Sequence, residues 1–559
     1  MSGGDTAFGA AAALHRSGRL REAETAYAEI LRGSRNHFGA THGLGMVYLQ
    51  TGRPELAAQS FGLALRIDPN NAAAHHDYGL ALQALALHDE AVESFERCIL
   101  LAPEGAGAYF NRGGSLAALG RLEEAAASFD RAACLNPHDA QFQLARANLL
   151  LKLGRAEEAV AGYDAAIALH PGYFEAIHNR ANALRELNRL TEALAGYDRA
   201  VALRPNVALA AYNRAFALQD LGRFDEAMAG YKRAVALAPG FSEARKARGS
   251  LKLLLGRCEE GFVDFEARLA DSDRALDPVL RALRYWDGRD PAGKTLMVYG
   301  DGAFGDLIQF SRYLPLLAAR GARPVLLAPP PFCGVLSGEA LKARVISGPG
   351  SDTGADFRCE LLSLPFLFRT TPDTVPPVVN VVRRDPDRIA RWRAHIGSRG
   401  LKIGICWQGN PERNIDRGRS VPLAQFAPLS QVAGARLISL QKKHGLDQLG
   451  NLPQGMTVET LGDEFDEGGG GAFLDTAAVL ESLDLVVTSD TAVAHLSATL
   501  GRPTWIALRR VPEWRWLLAR EDSPWYPTVR LFRQSEEGDW ACVFQAMARA
   551  LADFASKNR

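Results

Sequence analysis

Gly120-Arg-Leu-Glu-Glu-Ala125-Ala-Ala-Ser-Phe129-Asp-Arg-Ala-Ala-Cys-Leu-Asn-Pro137 is the stretch from which the fold of the first half follows. Stepping outward from Gly120 by 34 residues reaches Gly18, Gly52, Ala86, Gly154, Asn188, Gly222 and Gly256, all small or turn-forming. Five residues after each stand Ala23, Ala57, Ala91, Ala125, Ala159, Ala193, Ala227 and Gly261. Four further on is an aromatic ring every time: Tyr27, Phe61, Phe95, Phe129, Tyr163, Tyr197, Tyr231 and Phe265. Proline closes six units, at Pro69, Pro103, Pro137, Pro171, Pro205 and Pro239. Columns held in phase over this length are a repeat. Each unit reads as helix, turn, helix: the small residue turns the chain, the alanine allows close approach, the ring fills the gap and the proline stops the second helix. A single unit cannot bury its apolar face, so the units stack and leave a concave groove.

This pattern resembles the tetratricopeptide repeat (TPR) family over roughly residues 4–270. The resemblance implies a helical TPR superhelix whose groove holds a protein segment. At one position on successive first helices stand Asp77, Asn111, Ala145, Asn179 and Asn213. In repeat-bearing O-GlcNAc transferases, asparagines at the similar position hold an extended peptide, which makes Asn111, Asn179 and Asn213 candidates for an acceptor groove. The other role open to them is helix packing.

At 559 residues the chain is too long for one core. Lysine plus arginine balances aspartate plus glutamate at 64 each, which gives no argument for a nucleic-acid partner. Seven cysteines, with no CxxC, suit reduced thiols. The N-terminus lacks a basic region followed by an apolar run, and no apolar stretch is long enough to span a bilayer. A cytoplasmic protein without a membrane span is expected.

Residues 271–293, rich in Asp, Pro and Gly, mark a junction. The periodicity then changes to short apolar strands alternating with helices, as in a parallel sheet covered on both faces. Thr295-Leu-Met-Val-Tyr299 leads into a glycine loop, Gly300-Asp-Gly-Ala-Phe-Gly305-Asp306, which matches GxGxxG but has no acidic residue ending the next strand to hold a ribose. Asp306 opens a helix, where it serves as a general base or as a favourable N-terminal charge. A second alternation starts at Leu401-Lys-Ile-Gly-Ile-Cys-Trp407, followed by a loop carrying Arg413, Arg417 and Arg419, placed to bind a diphosphate or to be solvated. After a glycine run at 468–471 comes Leu485-Val-Val-Thr-Ser-Asp490-Thr-Ala-Val-Ala-His495. This strand, turn and helix would take an anion at the free N–H groups of the first turn, or be capped by Ser489 and Asp490. Trp514, Trp516, Trp525 and Tyr526 would stack on a ligand or pack a core or lid.

Together with Cys-Trp-Gln-Gly-Asn-Pro, Arg419-Ser, Ser-Leu-Gln441-Lys and Asp522-Ser-Pro-Trp-Tyr-Pro527, these stretches resemble bacterial proteins that join TPRs to a glycosyltransferase family 9-like, heptosyltransferase-related domain. The resemblance implies an α/β GT-B domain of two Rossmann-like halves, at 294–395 and 396–559, with the final helix crossing back to the first. It implies an inverting, metal-independent glycosyltransferase without a cofactor. Asp306 would be the base, and Asp490, Thr491, His495, Arg419, Gln441 and Gly305 would bind the nucleotide-sugar donor. The groove would deliver a protein acceptor, with flagellin among those the resemblance implies. Ala492 and Ser420-Val-Pro depart from the family's pattern. The alternatives are a non-catalytic TPR scaffold with a degenerate GT-B domain, or a transferase acting on a polysaccharide or lipid-linked glycan.

Overall fold

The computed structural model describes residues 3–270, 276–300, 302–336, 339–348, 354–411, 418–467 and 472–557. Asp301, Arg413, Arg417 and the glycines 468–471 lie outside them, as do residues 271–275 of the junction. The chain packs as two compact units, Met1–Ala217 and Leu218–Arg559.

The first unit is a stack of helical hairpins such as Ala72–Ala84 with His88–Leu101 and Ala106–Ala118 with Leu122–Leu135. All eight residues of the turn column have positive φ: the six glycines lie at 70–77°, Ala86 at 59° and Asn188 at 58°. The turn closes the first helix by a left-handed cap, as when the N–H of Leu87 donates to the carbonyl of Leu82 at 3.0 Å. The alanine column is fully buried from Ala23 to Ala193, and so are the rings of Phe61, Phe95, Tyr163 and Tyr197. A phenylalanine here is matched by a glycine sixteen residues earlier: a Cβ on Gly79 would stand 2.6 Å from the Phe95 ring. Where alanine takes that place, at Ala147 and Ala181, the ring is a tyrosine whose hydroxyl donates to Asn148 at 2.8 Å or Asn182 at 2.7 Å. Each fully buried ring contributes about 1.5–3 kcal/mol.

The second unit begins with three further repeat helices, Phe224–Leu237, Ser242–Leu254 and Cys258–Phe265. They are followed, among the described residues, by two parallel sheets. The first sheet contains β1 (Arg284–Tyr285), β2 (Thr295–Tyr299), β3 (Arg323–Leu327), β4 (Arg344–Ile346) and β5 (Phe357–Glu360), in the order β1-β5-β2-β3-β4. The second contains β6 (Leu401–Cys406), β7 (Ala435–Ser439), β8 (Val458–Glu459), β9 (Leu485–Ser489), β10 (Thr504–Leu508) and β11 (Val529–Arg533), in the order β8-β7-β6-β9-β10-β11. β2, β9 and β10 are buried at every residue, which is why they read as unbroken apolar runs rather than alternating ones. The order in which strands are added reverses between β6 and β9, which lie side by side and parallel.

The last helix, Trp540–Lys557, was expected to cross back to the first half; it packs on the second sheet. Phe544, Met547 and Leu551 join Ile403, Ile405 and Trp407 in one core, with Phe544 and Phe426 centred 4.4 Å apart. Residues 512–526 make the link to the first half instead, through Trp514, Trp516, Trp525 and Tyr526, all buried.

Candidate functional site

Two arrangements bear on function. In the first unit, polar side chains on successive first helices form a ladder. Asp77 accepts from His42 at 3.0 Å and His76 at 3.1 Å, and His76 meets the Asn111 amide at 3.0 Å. Further on, the Asn179 amide donates to Asn148 at 2.9 Å, and that of Asn213 reaches His178 at 3.0 Å and Asn182 at 3.2 Å. Asp77 is held below the usual carboxylate range: burial works against its charge, and the two imidazoles outweigh it. Burial pushes His178 down. The amides of Asn111, Asn179 and Asn213 therefore each tie their repeat to the one before it. The histidines were missed in the sequence, although they occupy a column of their own one residue before the ladder, at 42, 76 and 178.

In the second unit the predicted residues converge from both sheets. Gly305, in helix Phe304–Phe310, lies against His495 of helix Ala492–Thr499; a Cβ there would stand 2.9 Å from His495 Cδ2. The His495 ring stacks on Trp516 at 5.4 Å and its Nδ1 meets the Tyr526 hydroxyl at 3.0 Å. Burial, then the charges of Arg515, Arg312 and Arg419, hold His495 well below its ordinary value, so it is a neutral imidazole closed in by aromatics. Asp306 pairs with Arg515, which also donates to Glu513 at 2.6 Å. Burial disfavours the Arg515 charge, but Asp306 and Glu513 outweigh it and raise its pKa. Burial pushes Glu513 up.

Gln441 is spent on the chain itself: its side-chain oxygen accepts from the N–H groups of Trp407 and Gln408, both at 3.1 Å, and its amide donates to the Gln408 carbonyl at 2.9 Å. Thr491 is the first residue of the turn into its helix, and its hydroxyl meets that of Thr488 at 3.0 Å. Asp490 and Arg419 line a cavity with Arg509 and Glu513 of about 30 Å³. That volume holds a water. Sequence reading missed Arg312 and Arg515, the two cations that lock this region. Buried Arg312 donates to the carbonyls of Gln309 at 2.7 Å and Trp525 at 2.7 Å. The signal was there, in the one charge within Ile308-Gln-Phe-Ser-Arg312-Tyr-Leu-Pro-Leu-Leu317.

Family models described as TPR repeat or tetratricopeptide repeat match residues 8–72, 77–140, 116–179, 181–222 and 208–241. The N-terminal region is a TPR region. Protein FlbA of Caulobacter vibrioides is 27% identical over 318 residues, covering 52% of this chain and 51% of its own. The chain thus spans about half the length of this curated relative. Among solved structures, YrrB, described as a TPR protein with an unusual peptide-binding site, is 20% identical with a TM-score of 0.32 and covers 34% of this chain and 99% of its own. PilF of Pseudomonas aeruginosa is 20% identical with a TM-score of 0.33 and covers 36% and 92%.

The expected glycosyltransferase is corrected by these findings. The matching models describe TPRs and end at residue 241, and none of them describes a transferase. No helix among the described residues is long and apolar enough to cross a membrane.

Proposed function

We propose that this protein is a TPR adaptor that holds an extended segment of a partner protein along the first helices of its N-terminal repeats, and that its C-terminal unit is a degenerate GT-B-like domain without turnover. The observation that carries this reading is the ladder: Asp77, Asn111, Asn179 and Asn213 stand at one helical position at the repeat spacing, with His42, His76 and His178 in the column one residue before. Beside it the rings of Phe110 and Phe142, both partly exposed, stack at 4.8 Å and offer an apolar hold for a side chain. A surface that repeats in this way fits a ligand that repeats, and an extended backbone is such a ligand.

Support for a degenerate domain comes from the sheet order β8-β7-β6-β9-β10-β11, which is that of a doubly wound, Rossmann-like sheet, together with a crevice closed by Arg515 and the buried aromatics. In this reading the repeats run to about residue 270, 271–293 is the junction, and the two sheets take 294–395 and 396–559. The test is to pan a random peptide phage library against the full chain, then against Asp77→Ala with Asn111→Ala. Peptides enriched on the native protein and lost on the variant are expected. No enrichment, or enrichment indifferent to the substitutions, overturns the groove.

A further inference from the structure

One cavity of the second unit shares no lining residue with the region around Asp306 and His495. It has a volume of about 1030 Å³ and lies between β11, the last helix and residues 518–521. Its lining carries five cations, Arg520, Arg530, Arg533, Arg549 and Lys557, against two carboxylates, Glu521 and Asp553, a difference of three positive charges. Two of the five are committed elsewhere: Arg533 donates to the Leu517 carbonyl at 2.8 Å, and Arg520 is held bidentately by Asp522. Lys557 sits in the last turn of its helix, where it offsets the partial negative charge of that terminus.

Arg530 and Arg549 remain. Arg530 meets Glu521 only at 3.5 Å, with both side chains largely exposed, an interaction worth little. Arg549 is exposed on the adjacent helix. The base of the cavity is aromatic. Trp505 stands opposite Arg530 in the β10–β11 register and so on the same face, Phe532 lies beneath the Arg530 guanidinium at 4.8 Å, and Phe554 meets Trp505 edge-on at 6.1 Å.

We infer that this trough binds a phosphorylated small molecule of nucleotide size, with Arg530 and Arg549 on the phosphates and the aromatic base against a planar group. Guanidinium forks match phosphate oxygens two at a time, and the excess of positive charge draws in a multiply charged anion. The volume is at the upper end of ordinary small-molecule sites.

The test is titration calorimetry on the full chain with ADP and, separately, inorganic pyrophosphate, comparing native protein with Arg530→Gln/Arg549→Gln. ADP is expected to bind, roughly tenfold or more tighter than pyrophosphate, and the double variant to weaken ADP by roughly tenfold or more at an unchanged melting temperature. Where the double variant melts lower, Arg549→Gln alone, on an exposed helical face, serves as the same comparison. Absence of heat with both probes overturns the site, as does ADP binding indifferent to the substitutions. Equal affinity for ADP and pyrophosphate overturns the role of the aromatic base.

Discussion

Arg515 shows how one residue decides what its neighbours can do. It ties Asp306 and Glu513 together within a buried aromatic surround, its guanidinium 4.7 Å from the centre of the Trp514 ring. Replacing it with methionine takes the guanidinium away from both Asp306 and Glu513, and Glu513, already pushed up by burial, is pushed up further. Arg515→Met is expected to destabilise the second unit by about 3 kcal/mol. Asp306→Asn should cost about 1–2 kcal/mol, since Glu513 still serves the arginine. Urea unfolding of the two variants checks the order, and an Asp306→Asn protein as stable as the native one would remove the structural role. His495 adds a dependence on pH. Its folded pKa lies below the ordinary value near 6.5, so below that pH the unfolded chain binds a proton that the folded chain refuses. The contribution is complete above about pH 6.5 and is lost as pH falls, by up to about 1.4 kcal/mol per pH unit. The His495→Gln protein should show a flatter decline of its urea midpoint between about pH 7 and pH 5.5 than the native protein; equal slopes would mean that the imidazole does not stay neutral.

Among the elements, the repeat hairpin was the most legible because its constraint is geometric and local. A left-handed turn, an alanine at the closest approach and a ring against a glycine leave few residue types at each position, and all of these recur. The turn column contains its own test, since Ala86 adopts φ of 59° where six other units place glycine. A Cβ in that conformation costs about 1 kcal/mol, so Ala86→Gly is expected to raise the melting temperature of the first unit, and Gly120→Ala to lower it. Opposite signs are the expected result; a loss of stability in both would show that Ala86 packs better than its turn suggests. The strand, turn and helix at 485–499 was equally legible as structure but not as chemistry. A strand end followed by a helix start has the same sequence signature whether its residues face a ligand or a neighbour. What settles the matter for His495 is Trp516, Tyr526 and Gly305, up to 190 residues away in the chain. Long-range packing of this kind has no local pattern.

For the whole molecule, covalent repetition and packing divide the chain differently. The repeat continues to Phe265, yet the compact units part at Ala217, within the helix Ala208–Asp220. The physical reason lies in what the last repeat helices cover. Phe262 and Phe265 meet Trp514 edge-on at 5.8 and 6.0 Å. Arg268, its side chain largely covered, pairs with Glu360 at the end of β5 at 2.9 Å. A fragment beginning at residue 294 would therefore expose Trp514 to water and lose the Arg268–Glu360 pair. Burial of aromatic surface and breakage of a buried pair each contribute several kcal/mol, comparable to the net stability of a typical domain of about 5–15 kcal/mol. The fragment 218–559 is expected to unfold in one cooperative transition near that of the native second unit. The fragment 294–559 is expected to melt well below it and to bind a hydrophobic dye before melting. Equal melting temperatures for the two fragments would show that the terminal repeats merely rest on the sheets; a gap would make those helices part of the second unit's core, so that strain in the last repeats is felt directly at Arg515 and Trp514.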